Sequence, residues 1–327
     1  MQTQISNEDL NKSLTILNKI NGYLDSKVVG QQYLKYSLMV SLITNGHILL
    51  ESVPGLAKTT AAKALTDAIS GKFSRVQCTP DLLPSDIIGT QLYNMTTNTF
   101  ENNIGPVNAN FLLLDEINRS SSKTQSAMLE AMQERKVTIG GVNYDLPKPF
   151  VVIATQNPVE QEGTYTLAEA QLDRFLLKVK LTYPDAGAEF EILNRIENDV
   201  FAESHSVVNL EDILFIQDLC RNVYMDNSIK RYIVDIVQAT RITDKILRPE
   251  LAQYVQMGAS TRAAISFMEV AKAVALLNGR SYCTPDDVKA MRYSVLGHRI
   301  MLGFAAIADG IKEETIIDAI IGAVHTP

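Results

Sequence analysis

Glu51-Ser52-Val53-Pro54-Gly55-Leu56-Ala57-Lys58-Thr59-Thr60 follows the short apolar run His47-Ile48-Leu49-Leu50 and leads into a stretch rich in Ala and Leu. Gly46 before the run and the Pro54-Gly55 turn after it mark the run as a buried strand, so the ten residues read as a strand-to-helix turn. Backbone amides at such a turn, together with the helix N-terminus, cradle phosphates, while a lysine reaches the β and γ oxygens and a hydroxyl reaches Mg²⁺. Lys58 and Thr59 suit the last two roles, and Val53, Pro54, Gly55, Leu56, Ala57 and Thr60 complete the candidate cradle. The strict spacing G-x-x-x-x-G-K-S/T is broken twice, because Ser52 and Ala57 stand at its two glycine positions. From the loop alone, an ordinary strand-turn-helix connection fits equally well.

Working outward, four more runs resemble the first: Phe73 to Cys78, Phe111 to Asp115, Phe150 to Thr155 and Phe175 to Leu181. Their spacing leaves room for helical crossovers, and unalternating apolar strands suit a parallel sheet covered on both faces. Two stretches interrupt this pattern. Gln91 to Ile104 mixes Tyr93, Met95, Thr97 and Phe100 in near-alternation, and Val137-Thr138-Ile139 and Val142-Asn143-Tyr144 flank Gly140-Gly141; both read as inserted β-hairpins. Upstream, Ser6 with Asp9 caps a helix running to about Leu24, with Leu10, Leu14, Leu17 and Leu24 on one face. Past Pro184-Asp185 the periodicity turns helical, as in the face Ile229, Tyr232, Ile233, Ile236 and Val237, and Thr284-Pro285-Asp286-Asp287 is a helix start. The expected organisation is an α/β core over 1–183 and an all-α lid domain over 184–327.

The run Phe111-Leu112-Leu113-Leu114-Asp115-Glu116 ends in two acids. Beside a phosphate-binding loop, the first can hold Mg²⁺ through water and the second can polarise an attacking water. Two solvated carboxylates capping a strand are the plainer alternative.

The net charge of −7 and a pI near 5.2 give an overall negative potential that disfavours nucleic acid and anionic lipid, and no run of Lys and Arg offsets it. Hydrophobic residues at 46% and charged residues at 20% exclude a disordered or fibrous chain. No apolar run approaches the roughly 18 residues of a membrane span, and Met1-Gln2-Thr3-Gln4 does not open a secretory signal. Cys78, Cys220 and Cys283 are far apart and lack the spacing of a zinc site or disulfide framework. The expectation is a cytoplasmic protein. His47, His205, His298 and His325 show no ligand spacing.

Six blocks in order along nearly the whole chain resemble the MoxR family of AAA+ ATPases: Val53 to Thr59, Asp115-Glu116-Ile117-Asn118-Arg119, Lys123-Thr124-Gln125-Ser126, Ala154-Thr155-Gln156-Asn157-Pro158, Ala170-Gln171-Leu172-Asp173-Arg174-Phe175 and Gly258-Ala259-Ser260-Thr261-Arg262-Ala263. The resemblance implies an α/β P-loop NTPase: an AAA+ core with a five-stranded parallel sheet, helices on both faces and inserted β-hairpins, followed by an all-α lid. Family members also carry alanine at the Ala57 position, so Ser52 is the departure, bringing a side chain where backbone and phosphate come close.

It further implies ATP and Mg²⁺ as ligands, with Thr59 and Asp115 at the metal, Glu116 as base and Asn157 as a polar sensor of the γ-phosphate. Arg174 matches the arginine finger offered to a neighbouring subunit, and Arg262 the second sensor that reaches the nucleotide from above, on the lid. Val28-Val29-Gly30-Gln31 lies where such proteins pass the adenine ring, and Arg119 has no assigned role. The implied activity is ATP hydrolysis in a homo-oligomeric, hexameric ring that remodels or matures a partner protein, including metal-insertion-type maturation. A von Willebrand factor A domain protein is a possible partner type in the family. Two other readings stand beside it: a nucleotide-gated scaffold with little turnover, permitted by Ser52, and a chelatase- or helicase-like motor.

Overall fold

The computed structural model describes residues 5–53, 55–158, 164–197 and 205–327; Pro54, one of the candidate cradle residues, lies outside them. The chain opens with α1 (Asn7–Lys27) and α2 (Gln32–Thr44). Ser6 caps α1 by accepting from the Asp9 amide at 3.0 Å, which satisfies a donor that the first helical turn leaves open. Ile16, Leu17, Ile20, Tyr23 and Leu24 are the buried face of α1, with Leu10 and Leu14 at its margin.

The core then alternates strands and helices: β1 (Ile48–Glu51), α3 (Lys58–Asp67), β2 (Phe73–Gln77), α4 (Pro84–Ile88), the hairpin β3 (Gly89–Asn94) and β4 (Thr99–Ile104), β5 (Phe111–Asp115), a 3₁₀ turn Ile117–Arg119, α5 (Ser122–Glu134), the hairpin β6 (Lys136–Ile139) and β7 (Val142–Asp145), β8 (Val151–Gln156), α6 (Glu169–Leu172) and β9 (Leu177–Lys180). Five of these strands form one parallel sheet in the order β2-β5-β8-β1-β9. The five expected strands are therefore all present, β5 with the expected bounds and the others with ends shifted by at most two residues.

Alternation along the buried strands divides the core between the two faces of the sheet. Ile48, Leu50, Phe111, Leu113, Val151 and Ile153 pack with Ala61, Ala62 and Leu65 of α3 and with α1 and α2. Leu49, Leu112, Leu114, Val152 and Ala154 pack with Met128, Leu129 and Met132 of α5. This is why β1, β5 and β8, the inner strands, carry no polar residue at alternate positions, since neither of their faces meets water, whereas the edge strands β2 and β9 carry Ser74, Arg75, Gln77, Lys178 and Lys180.

Both hairpins lie where the sequence places them, and they touch each other. Gly140 and Gly141 turn between β6 and β7 at φ +57° and +78°, and a Cβ on Gly140 would stand 2.4 Å from the Gln91 amide nitrogen on β3. Asn102 of β4 donates to the Ile139 carbonyl and to the Tyr144 hydroxyl, each at 3.0 Å. Leu92, Tyr93, Met95 and Phe100 of the first hairpin stay exposed.

After β9 come α7 (Ala186–Glu197), α8 (Leu210–Asn222), α9 (Asn227–Ala239), α10 (Thr243–Ile246), α11 (Pro249–Ala252), β10 (Val255–Met257), α12 (Thr261–Leu277), α13 (Pro285–Ala290), α14 (Arg292–Leu296), β11 (Met301–Leu302), α15 (Phe304–Ala308) and α16 (Glu313–Ala323). The lid is helical, with one short antiparallel ribbon, β10 with β11, that helical periodicity does not reveal. Its apolar core is continuous with that of α1 and α2, and Gln217 of α8 donates to the Leu42 carbonyl of α2 at 2.8 Å.

Candidate functional site

The loop after β1 reaches α3 through two left-handed residues, Gly55 at φ +85° and Ala57 at φ +57°. Only the first is a glycine, so Ala57 holds a conformation that disfavours a Cβ. Ser52 is not among the positive-φ residues. It is 3% exposed, and its hydroxyl donates to the Val53 carbonyl at 2.9 Å, so the side chain is spent on its own backbone. Its amide is tied to the Gln156 carbonyl of β8 at 3.2 Å. Lys58 is the first residue of α3, and its ammonium donates to the Ser52 carbonyl at 3.1 Å. No side chain among the described residues caps α3, so its first amides point out of the helix toward whatever the loop encloses. Leu56 is buried as an anchor, and Val53, Thr59 and Thr60 remain accessible.

β5 lies one strand beyond β8, which puts Asp115 and Glu116 about 10 Å across the sheet from the loop. Asp115 is 6% exposed. Arg75 of β2 donates from Nε to its Oδ2 at 2.7 Å, and the Thr155 hydroxyl of β8 to its Oδ1 at 3.3 Å. Thr155 also accepts from the Glu116 amide at 2.8 Å, so one hydroxyl holds both acids in place. Glu116 sits at φ +57°, in the left-handed region. Its carboxylate accepts from Gln77 at 3.2 Å and from Arg119 at 3.3 Å. Arg119, unassigned from sequence, therefore pairs with the candidate base. Asn157, 4% exposed, follows β8 between the loop and the acids, and its carbonyl accepts from Asn118 at 3.4 Å.

This donor set fits a magnesium nucleotide: a lysine and uncapped helix amides suit phosphate oxygens, and a buried carboxylate with Thr59 suits a hard cation. Burial pushes the nearby Cys78 thiol up to about 12, which favours its neutral form. Gly30 and Gln31, in the segment expected near an adenine, are both left-handed. They pack toward the start of the lid: a Cβ on Gly30 would stand 3.2 Å from Ala188 of α7, and Gln31 donates to the Thr182 carbonyl at 2.9 Å.

The two remaining candidates are elsewhere. Arg174 precedes β9, on the edge where the parallel strands begin, whereas Lys58 follows β1 on the edge where they end. Arg262, in the first turn of α12, pairs with Asp173 at 3.7 Å and shares with Arg174, Arg135, Arg299, Asp173 and Glu269 a cavity of about 260 Å³. Among the described residues, Arg174 Nε is buried there without a hydrogen-bond partner. The length of β1 alone, about 13 Å, separates this cavity from the loop. The lid thus seats on the strand-start edge, through Arg299 and Asp173, and carries Arg262 with it.

A parallel sheet ordered in this way, with a phosphate loop after β1, acids after β5, a polar residue after β8 and a helical lid, defines an AAA+ P-loop ATPase domain. Residues 47–177 match the model of the ATPase family associated with various cellular activities (AAA), and residues 250–320 match the AAA lid domain. The chain is 43% identical to Chaperone MoxR1 of Mycobacterium tuberculosis, covering 92% of this chain and 79% of that one. It is 45% identical to the uncharacterized protein YeaC of Bacillus subtilis, covering 95% of each. A crystallised candidate ATPase from Cytophaga hutchinsonii superposes with a TM-score of 0.90 at 46% identity, over 97% of both chains. The chain belongs to the MoxR family of AAA+ ATPases.

Proposed function

We propose that this chain binds ATP with Mg²⁺ between its β1 loop and its β5 acids, hydrolyses it within a ring of like subunits, and uses the cycle to remodel a bound protein. The observation that carries this reading is the shared placement of Arg174 and Arg262: both lie on the edge away from their own Lys58, so a site holding all the candidate residues needs two chains. Lys58 and the α3 amides bind the phosphates, Asp115 and Thr59 hold the metal, and Asn157 orients the γ-phosphate end. Mg²⁺, when bound, supplies the positive charge that the phosphate oxygens need. Glu116 accepts the proton of the attacking water, while Arg174 and Arg262 bring positive charge from the neighbour to the phosphoryl group being transferred.

Two features support a protein client. The negative net charge disfavours nucleic acid, and the exposed Leu92, Tyr93, Met95 and Phe100 offer apolar contacts on a hairpin. Six-fold assembly, a von Willebrand factor A partner and metal-insertion-type maturation are parts of this proposal that follow the family resemblance. The scaffold alternative, which binds ATP with little turnover, rests on Ser52, and the burial of its hydroxyl against Val53 gives that reading little support.

The test is phosphate release from mixed rings. Arg174→Ala subunits keep Lys58 and Lys58→Ala subunits keep Arg174, so each inactive parent supplies what the other lacks. Activity should appear on mixing, with co-assembly followed by light scattering. Co-assembled rings no more active than their parents would overturn the shared site.

A further inference from the structure

The segment that carries Arg174 is short and is held from one side by the lid. Asp173-Arg174-Phe175 links the four-residue helix α6 to β9. The amides of Asp173, Arg174 and Phe175 bond back to the carbonyls of Glu169, Gln171 and Leu172. The carbonyls of Asp173 and Phe175 turn to the lid residue Arg299, whose side chain is 2% exposed, and the Phe175 carbonyl also faces Nε2 of the adjacent His298 at 3.2 Å. Arg299 Nε donates to Asp173 Oδ1 at 2.8 Å, and its terminal nitrogens donate to the carbonyls of Phe175 at 2.6 Å, Leu176 at 3.3 Å and Asp173 at 3.4 Å. Within the lid the same guanidinium holds Ser266 Oγ at 3.0 Å and the Val295 carbonyl. The second oxygen of Asp173 accepts from Ser260 at 2.7 Å, at the cap of α12, and lies 3.7 Å from Arg262.

A rigid fork of five donors suits this task, since it can bracket acceptors on both sides of Arg174 while bonding to two lid elements. Lysine has the charge without the fork. A group of this kind, buried and fully engaged, moves only together with its partners.

We propose that Arg299 is the positioning residue of Arg174: it ties the finger segment to the lid, so that the lid of one subunit sets the reach of the finger into the site of the next. This rests on the two-chain site proposed above, and it adds a route by which lid movement in one subunit controls hydrolysis in its neighbour. Arg299 touches no nucleotide in this scheme. A defect there belongs to the donor side of the interface and leaves the acceptor side of the same subunit whole.

The experiment is Arg299→Lys, assayed alone and in mixed rings. Alone, it should bind ATP with unchanged affinity and assemble, while turnover falls by at least about tenfold, since misplacing a reacting group by about 1 Å costs up to about a hundredfold. Mixing with Lys58→Ala subunits should restore activity, and mixing with Arg174→Ala subunits should not. Undiminished turnover in Arg299→Lys overturns the proposal, as does a loss that Lys58→Ala subunits fail to rescue despite co-assembly, because that defect lies in the variant's own site. If Arg299→Lys does not fold, Asp173→Asn weakens the same clamp from its acceptor side and is read by the same mixtures. Arg174→Ala mixed with Lys58→Ala serves as control: its failure removes the two-chain site and the clamp together, whereas its success beside an unimpaired Arg299→Lys removes the clamp alone.

Discussion

Arg75 Nε stands 2.7 Å from Asp115 Oδ2, so the carboxylate assigned to Mg²⁺ already faces a cation from the neighbouring strand. The arginine is half exposed and the aspartate buried, so the pair is screened on one side and firm on the other. Asp115 keeps its second oxygen on Thr155 whether or not Arg75 is present. Removing the arginine therefore relieves repulsion against a second cation more than it disturbs the carboxylate. For a half-exposed pair this is worth about 0.5–1 kcal/mol. Arg75→Ala should lower the Mg²⁺ concentration that half-saturates ATP binding by about two- to fivefold. A titration in which the variant needs more Mg²⁺ would assign Arg75 to orienting Asp115 instead.

Glu116→Gln is expected to separate binding from turnover. The amide keeps the shape and the contacts to Gln77 and Arg119, but it cannot take up a proton. Loss of a general base lowers rates by about 10² to 10⁴. ATP should bind as in the parent chain, measured by fluorescent-nucleotide titration, while phosphate release nearly stops. Parental turnover would exclude Glu116 as the base.

The strand-end chemistry is legible in the sequence because it is local. A strand that is buried on both faces must be continuously apolar, so Phe111 to Leu114 announces where Asp115 and Glu116 emerge, and the Pro54-Gly55 turn announces the loop before α3. The supports of that chemistry are not legible from local pattern. Arg75 and Thr155 meet Asp115 from other strands, each 40 residues away in sequence, and Arg299 meets Asp173 across 126 residues. No periodicity or spacing marks such pairs. The side on which the lid packs is hidden for the same reason, and with it the address of Arg262.

His47 gives the fold a pH dependence of definite sign. It lies just before β1, accepting from the Val152 amide at Nδ1 and facing the Met132 carbonyl with Nε2, both at 3.0 Å. Burial, then the nearby Arg135, pushes it down to about 3. The ring is thus neutral in the folded chain where the unfolded chain would hold a proton. Stability is full above the unfolded value of about 6.5 and is lost as pH falls from there toward about 3. Between pH about 7.5 and about 5.5 the expected loss is about 1.4 kcal/mol. Urea midpoints at the two pH values should show it, and His47→Gln should shrink the difference. A remainder is expected from His298, which burial also holds well below its ordinary value. Equal pH dependence in His47→Gln and the parent chain would rule out His47 as a source.

Arg174 and Arg262 share one cavity, and this yields a result that a lid sensor acting on its own nucleotide could not. In a ring where both arginines act on the neighbour, each site takes its pair from a single adjacent chain. An Arg174→Ala neighbour fails to supply one member and an Arg262→Ala neighbour fails to supply the other, so mixing the two variants leaves every site defective. If Arg262 instead served its own chain, an Arg174→Ala subunit would keep its own Arg262 and could borrow Arg174 from an Arg262→Ala neighbour, completing a site. Each single variant should lose activity by roughly 10³ or more if its arginine neutralises the transferred group as fingers do generally. Recovery would then stand out clearly. We expect none in the Arg174→Ala with Arg262→Ala mixture, and recovery in mixtures of either variant with Lys58→Ala, measured as phosphate release at matched assembly. Activity in the first mixture would return Arg262 to its own nucleotide and require the lid to swing away from Asp173.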